Sequence, residues 1–225
     1  MQQEQNMRVN DCPCDGIDMP KSHDKTLEFY NRNADRFIEN TLHADMHEAQ
    51  DRFLDLVKPG GRILDFGCGS GRDARYFLSH GYQVDAVDGS AELVRKASEE
   101  LGIPVKQLLF QDLDEVDRYD GIWACASILH LPKGELKDVM QKITTALHNR
   151  GVIYASFKYG TFEGERNGRY FTDFTEGTIR DFLQNMPALQ IRECWITADV
   201  RPGRDDEKWL NLILCKDGND GLCCR

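Results

Sequence analysis

The residues of this chain that could do chemistry begin with three glycines at alternate positions, Gly67, Gly69 and Gly71. They follow a short apolar run that carries one acid, Asp65, and a helical pattern comes directly after them. Glycines let the backbone turn sharply and approach a ligand closely, because no Cβ stands in the way. The following helix directs unpaired N–H groups at a ligand above the turn. The pattern predicts a nucleotide-like cofactor at the carboxyl end of the first strand of a parallel sheet.

The spacing of these residues narrows the kind of cofactor. A dinucleotide fingerprint needs a third glycine or an alanine where this chain has Arg72, and the Gly-Lys-Ser/Thr string of a P-loop does not occur. A second strand ends at Asp88, where a carboxylate can accept hydrogen bonds from two ribose hydroxyls. Asp65 would repel a pyrophosphate, since like charges repel, and it suits a ligand with a positive group. These features favour an adenosine with a free ribose.

The ordered set of motifs resembles the class I S-adenosylmethionine-dependent methyltransferases over roughly residues 26 to 216. The set begins with the Asp65 and glycine string, continues with Asp88, and includes Gln111-Asp112-Leu113 after a third strand. Further strings are similar to a small-molecule branch of the family, the tellurite-resistance and ubiquinone-biosynthesis-like methyltransferase domains. These strings occupy residues 29–34, 124–130, 156–160 and 209–211.

The resemblance implies S-adenosylmethionine as cofactor, S-adenosylhomocysteine as product, and a set of residues that hold the cofactor. In the family, the acid at Asp65 lies near the cofactor's amino group and the acid at Asp112 lies near the adenine amino group. The expected cofactor contacts are Tyr30, Arg36, Asp65, Gly67, Cys68, Gly69, Asp88, Gly89, Asp112, Leu113, Ala126 and Ser127.

The acceptor side is expected just past the fourth strand and in the long loop after the fifth strand, residues 160–173. His130 stands at the mouth of the predicted sheet, where ligands bind, and is the candidate catalytic residue for proton handling. The expected substrate contacts are Lys158, Tyr159, Arg166, Arg169 and Tyr170. Basic side chains there suit an anionic or carboxylate-bearing acceptor. No CxxC pair occurs, so no metal site is expected.

The preferred hypothesis is transfer of a methyl group to a small-molecule acceptor by in-line displacement. One alternative is an NAD(P)-dependent oxidoreductase of the Rossmann type, and another is a non-catalytic cofactor-binding partner subunit. The missing third glycine and the acid in the glycine turn disfavour the oxidoreductase.

Composition limits the partners of the chain. Its 225 residues carry 28 basic and 38 acidic side chains, a formal charge of −10, which opposes binding to nucleic acid. No run of 18 apolar residues suggests a membrane span, and the first 25 residues lack the apolar core of a signal peptide. The expected location is the cytoplasm, where the eight cysteines would be free thiols.

Alternating strand and helix patterns between residues 62 and 157 predict a parallel sheet with right-handed crossovers. Strands at 189–199 and 208–215, joined by a turn, predict an antiparallel hairpin at the end. The expected fold is an α/β, Rossmann-like, seven-stranded and mostly parallel sheet, with one antiparallel strand near the C-terminus and helices on both faces. The expected organisation is a flexible leader over 1–24, a methyltransferase domain over 25–217 and a flexible tail over 218–225.

Overall fold

The computed structural model describes residues 22–218, and side chains from residue 25 onward. Helices and strands alternate over most of this span. The helices are α1 Ser22–Arg32, α2 Ala34–Thr41, α3 His47–Leu54, α4 Arg72–Ser79, α5 Ala91–Leu101, α6 Lys133–Ala146 and α7 Glu176–Leu183. The strands are β1 Arg62–Phe66, β2 Gln83–Asp88, β3 Val105–Gln107, β4 Tyr119–Ala124, β5 Leu147–Lys158, β6 Glu163–Arg166, β7 Arg169–Thr172, β8 Leu189–Ala198 and β9 Lys208–Lys216.

Seven of the strands form one sheet in the order β3-β2-β1-β4-β5-β9-β8. Strands β1 to β5 pair in parallel, and β9 is antiparallel to both β5 and β8. The predicted fold class is therefore confirmed. Because parallel strands end at the same edge, the residues that follow β1, β2, β4 and β5 meet there.

Side chains of β1 alternate between two apolar layers, as the two-residue period of a strand requires. Ile63 packs with Phe53, Phe77 and Trp123 on one face of the sheet. Leu64 packs on the opposite face, in the apolar cluster that also contains the buried apolar side chains of α6. Helices cover both faces, which explains why β1 is apolar on both sides.

The segment predicted as a long loop, residues 160–173, contains the hairpin of β6 and β7 instead. Its turn is Asn167-Gly168, and both residues have positive φ, +52° and +75°. Asn-Gly is the strongest short-range signal for a two-residue hairpin turn, since both central residues must adopt positive φ. The signal was therefore present in the sequence, but the strands of four residues on either side are too short for a clear alternation.

Several element boundaries differ from the prediction for local reasons. The apolar pattern predicts the fourth strand over Gly121 to Ala126, but the strand ends at Ala124, because Ala126 has φ +50° and cannot continue a strand. Pro132 caps α6 from outside the helix, with an extended ψ of 149°. The helical stretch from Thr26 divides at Asn33, whose side-chain amide donates to the carbonyl of Phe29 at 2.7 Å. Ser90, placed just before a helical pattern, is predicted as an N-cap; its hydroxyl accepts the N–H of Leu93 at the start of α5, which confirms this prediction.

The predicted leader and tail lie mostly outside the described residues. Helix α1 already begins at Ser22, inside the span assigned to the leader. Among the described cysteines, Cys68, Cys125 and Cys194 are free thiols. Cys215 is disulfide-bonded, so the expectation of a free thiol at this position is wrong. That expectation is based on composition, which does not show which cysteines come close enough to form a disulfide. No helix within residues 22–218 has the length and apolarity that crossing a membrane requires.

Candidate functional site

A cavity of about 1480 Å³ opens at the carboxyl ends of the parallel strands. Its floor includes Gly67, Gly69 and Asp88 after β1 and β2, and Ala126 and Ser127 after β4. Its walls come from α1 and α2, from the β6–β7 hairpin and from the connection between β8 and β9. Pockets for one ligand usually have about 300–1,000 Å³, so this cavity has room for more than one small molecule.

The glycine turn forms the tightest part of this floor. Gly67, Gly69 and Gly71 all have left-handed φ values, +88°, +55° and +77°. A Cβ on Gly67 would lie 2.5 Å from the Cβ of Ser127, and one on Gly69 would lie 2.9 Å from the ring of Phe37. The turn thus brings bare backbone to the cavity surface, and larger residues would not fit there.

Asp88 holds the glycine turn from the end of β2. Its Oδ2 accepts the N–H of Gly69 at 3.0 Å and its Oδ1 accepts the N–H of Ser90 at 2.8 Å. Burial raises its pKa, and these backbone donors oppose that rise. Because each carboxylate oxygen has two lone pairs, Asp88 can still accept hydrogen bonds from a ligand in the cavity.

Asp65 lies beneath the glycine turn and does not line the cavity. Its side chain is buried, and its Oδ2 accepts the N–H of Ala74 in α4 at 3.1 Å. Burial, and then the charge of Asp73, raise its pKa well above the ordinary range. Its expected contact with the cofactor's amino group therefore stays a prediction. The sequence identified this acid but did not show on which side of β1 its carboxylate lies. In the structure the carboxylate faces α4.

Arg72 and Asp73 form a buried ion pair next to Asp65. Arg72 donates from Nε and Nη2 to the two oxygens of Asp73, at 2.8 and 2.7 Å. Asp73 also accepts from Gln50 and from the indole of Trp123. This explains why an arginine stands where a dinucleotide fingerprint needs a small residue, since its role is to anchor α4 on the sheet.

Residues 108–111 line the cavity where Asp112 and Leu113 were expected. Asp112 is exposed at the end of a short 3-10 turn, and Leu113 belongs to the apolar core. Neither residue lines the cavity. The residues that do line it here, 108–111, come directly before them in the chain. The apolar run at 108–110 was the available signal, because an aromatic base favours apolar and aromatic walls.

The remaining expected cofactor residues all line the cavity: Tyr30, Arg36, Cys68, Gly89, Ala126 and Ser127. Ser127 donates its hydroxyl to the carbonyl of Phe66 at 2.7 Å, and Ala126 donates its N–H to the hydroxyl of Ser156 at 2.8 Å. Burial raises the pKa of the Cys68 thiol well above its ordinary value, so this cysteine stays protonated. Ser156 also lines the cavity. The sequence analysis includes it in the string at 156–160 but does not predict it as a cofactor contact.

His130, Tyr30 and Arg169 form a hydrogen-bonded chain in the wall of the cavity. His130 Nδ1 lies 2.6 Å from the carbonyl of Tyr170, and its Nε2 lies 2.8 Å from the hydroxyl of Tyr30. A carbonyl only accepts, so Nδ1 carries the proton of the neutral ring and Nε2 accepts from Tyr30. Burial lowers the pKa of His130 to about 4, which makes the ring neutral at pH 7. Arg169 Nη1 donates to the Tyr30 hydroxyl at 3.3 Å.

Three of the five expected substrate residues are already engaged by protein groups. Lys158 pairs with Asp199 and Glu207. Arg166 makes a bidentate pair with Asp173, at 3.0 and 2.8 Å. Tyr159 donates its hydroxyl to Glu176 at 3.0 Å.

The other two expected substrate residues, Arg169 and Tyr170, are neighbours on β7 and differ in position, since only Arg169 lines the cavity. The Tyr170 side chain does not line the cavity, and its hydroxyl is directed to Glu163 at 3.4 Å. Its expected substrate contact stays a prediction; in the structure the alternation along β7 directs Tyr170 outward and leaves Arg169 in the cavity wall. The acids Asp173, Asp199 and Glu207 also line the cavity, and the sequence reasoning missed them.

The comparisons with known proteins agree with this geometry. Residues 63–151 match the family model of a methyltransferase domain. An uncharacterised methyltransferase of Geobacillus kaustophilus is 25% identical over 174 residues, which are 72% of this chain and 80% of that protein. The 1,6-didemethyltoxoflavin N1-methyltransferase of Burkholderia thailandensis has a similar fold, with a TM-score of 0.72 and 20% identity over 92% of this chain and 93% of its own. The family match over residues 63–151, the relatives and the similar fold support a class I S-adenosylmethionine-dependent methyltransferase.

This methyltransferase also resembles a relative of known activity in part of its length. It is 32% identical over 130 residues to a sarcosine/dimethylglycine N-methyltransferase of Aphanothece halophytica, across 51% of this chain and 46% of the relative. Its cofactor is S-adenosylmethionine. The glycine turn suits this cofactor, because it leaves backbone at the surface that a Cβ would cover.

The methyltransferase should lose stability in acid through His130. The pKa of this residue falls from an ordinary 6.5 to about 4 in the folded chain. Between these values the unfolded chain binds a proton that the folded chain does not, so the unfolding free energy falls as the pH drops through this window. The difference corresponds to roughly 3 kcal/mol. Denaturant unfolding from pH 7 to pH 4 should show most of this loss in the wild type and not in His130→Gln.

The control for this measurement is His80→Gln, since His80 is exposed at the end of α4. This variant should keep the wild-type loss of stability in acid. Equal acid sensitivity of His130→Gln and the wild type would show that His130 does not stay neutral in the folded chain.

Proposed function

We propose that this methyltransferase transfers the methyl group of S-adenosylmethionine to a small-molecule acceptor bound in the same cavity. The observation that carries the proposal is one continuous cavity with a glycine turn at one end and an aromatic and basic hairpin wall at the other. A volume of about 1480 Å³ supports two ligands side by side.

The cofactor end is proposed to use Asp88 for the ribose hydroxyls and the backbone of Gly67, Cys68 and Gly69 for the neighbouring part of the cofactor. Leu109, Phe110 and Gln111 are proposed to line the adenine site in place of Asp112 and Leu113. Tyr30 and Arg36, on the two N-terminal helices, and Gly89, Ala126 and Ser127 complete the proposed contact set.

When bound, the cofactor supplies a sulfonium-activated methyl group, so the chain's own task is to align the acceptor with it. Holding two reactants in line can contribute on the order of 7–11 kcal/mol to the lowering of the barrier.

His130 is proposed to receive a proton from the acceptor by way of Tyr30. Nε2 is the basic nitrogen, and the Tyr30 hydroxyl that donates to it lies between the imidazole and Arg169. A pKa of about 4 makes His130 a weak base. The arrangement therefore suits an acceptor that is acidic itself, or that loses its proton after the methyl group has been transferred.

Relatives support a small molecule as acceptor. The methyltransferase of Burkholderia thailandensis was solved with 1,6-didemethyltoxoflavin and S-adenosylhomocysteine bound. The relative from Aphanothece halophytica acts on sarcosine and dimethylglycine. The formal charge of −10 opposes a nucleic acid substrate. We also propose that the methyltransferase domain spans residues 25–217 and acts in the cytoplasm.

Calorimetry and turnover test the proposal together. The chain should bind S-adenosylhomocysteine and not NAD, which separates it from the Rossmann oxidoreductases. Incubation with donor labelled in its methyl group and a panel of small acceptors should transfer label to at least one of them. Binding without transfer to any acceptor, including peptides and RNA, would favour the non-catalytic partner subunit instead.

A further inference from the structure

We propose that Arg169 is the binding site for a carboxylate of the methyl acceptor, so that the substrate class is carboxylate-bearing small molecules. This inference rests on the proposed function, since it assigns the acceptor end of the same cavity. It selects one residue from the basic side chains around that cavity, and the selection depends on which of them lack a carboxylate partner.

Most cations of the cavity wall are already neutralised. Arg72 pairs with Asp73, Lys158 pairs with Asp199 and Glu207, and Arg166 pairs with Asp173. In the same way, Arg201 pairs with Asp199 and Arg204 with Glu207. A guanidinium that already has a bidentate carboxylate partner has little left to offer a second anion.

Three cavity cations have no carboxylate partner among the described residues: Arg36, Arg169 and Lys208. Arg36 and Lys208 are exposed, so water solvates their charges. Arg169 is only partly exposed, and its Nε is buried without any hydrogen-bond partner. A buried polar atom without a partner indicates a missing acceptor at this place, because a lost hydrogen bond to a charged group is costly.

The surroundings of Arg169 hold its guanidinium in a fixed position. Its Cζ lies 4.4 Å from the ring centroid of Phe29 and 5.1 Å from that of Phe171. Nη1 donates to Tyr30, which in turn donates to His130. A planar, stacked guanidinium with free donors is suited to carboxylate recognition. The position beside His130 would bring the acceptor's carboxylate close to the residues proposed for proton handling.

Two molecules in this cavity could present a carboxylate, the acceptor and the methionine part of the cofactor. Arg36 is the proposed contact on the cofactor side. Arg169 lies on the β6–β7 hairpin, which contributes no residue to the glycine turn or to the strand ends that carry it. We therefore assign Arg169 to the acceptor.

Acetate is the probe for the test, because it carries the carboxylate alone and does not depend on the shape of the acceptor. The protein is first saturated with S-adenosylhomocysteine, and its Tm is then compared in acetate and in chloride of equal ionic strength. A ligand that binds only the folded state raises the Tm, and we expect a rise of roughly 2–4 °C in the wild type. Arg169→Met, which keeps the aliphatic packing, should abolish the rise.

Arg204→Met is the matched control, because Arg204 lines the same cavity but is paired with Glu207. It should keep the wild-type response to acetate. Arg169→Lys retains the charge without the guanidinium fork, so it should show a smaller rise, and it replaces Arg169→Met if that variant does not fold. An acetate response of the same size in the wild type and the Arg169 variants, or none in the wild type, overturns the inference.

A second experiment shows whether Arg169 binds the carboxylate of the acceptor or that of the cofactor. It also distinguishes failure of this inference from failure of the proposed function. S-adenosylhomocysteine and 5′-methylthioadenosine, which lacks the amino-acid part, are titrated into the wild type and Arg169→Met. We expect both affinities to change less than about twofold. A loss of about tenfold or more confined to S-adenosylhomocysteine would assign Arg169 to the cofactor and overturn the inference. Failure of the wild type to bind S-adenosylhomocysteine would overturn the proposed function itself.

Discussion

Replacing Asp88 with alanine is expected to weaken S-adenosylhomocysteine binding about a hundredfold, which corresponds to ~3 kcal/mol. Asp88 is proposed to accept the ribose hydroxyls, and hydrogen bonds to a charged group contribute about 1.5–3 kcal/mol each. The same carboxylate holds the N–H groups of Gly69 and Ser90, so the variant also loosens the turn. Isothermal titration calorimetry measures the affinity, and denaturant unfolding measures the accompanying loss of stability.

Asp85→Ala is the matched control for this variant. Asp85 lies on the same strand, three residues earlier, and its carboxylate pairs with Arg62 and Arg118 away from the cavity. Its removal should change the affinity less than about twofold, because its carboxylate does not line the cavity. If the two variants bound S-adenosylhomocysteine equally well, Asp88 would not be a ribose contact.

Gly67→Ala is expected to destabilise the chain by about 3 kcal/mol and to abolish cofactor binding. The φ of +88° is strained for any residue with a Cβ, and the new methyl group would lie 2.5 Å from the Cβ of Ser127. Neither atom belongs to a flexible side-chain end, so the turn or the segment after β4 must move. Because both segments form the floor of the cavity, their displacement should disrupt the cofactor site. Denaturant unfolding and calorimetry with S-adenosylhomocysteine measure the two effects.

Gly81→Ala separates the clash from the backbone strain. Gly81 has nearly the same φ, +83°, but no atom lies within 4 Å of its Cβ position. Only the left-handed strain remains there, and it should cost about 1–2 kcal/mol with cofactor binding unchanged. Equal losses in the two variants would mean that contact between Gly67 and Ser127 does not shape the site.

The glycine turn, Asp88 and the parallel arrangement of the sheet could be predicted from the sequence because each depends on local patterns. A strand shows its apolar run, a turn shows its glycines, and a parallel sheet follows from alternation with helices. The N-cap at Ser90 is a signal of the same kind. The β6–β7 hairpin carried its own local signal in Asn167-Gly168, which was available but was not used.

The sequence by itself therefore determined the fold class, the glycine turn and the acid at the end of β2. Only the tertiary structure decided that Asp65 and Leu113 lie away from the cavity, and that Arg169 remains without a carboxylate while Lys158 and Arg166 have theirs. These outcomes depend on pairs of residues far apart in the chain, such as Lys158 with Asp199. The physical reason is that local patterns fix backbone conformation, whereas charge pairing and burial depend on which segments meet after the chain has folded.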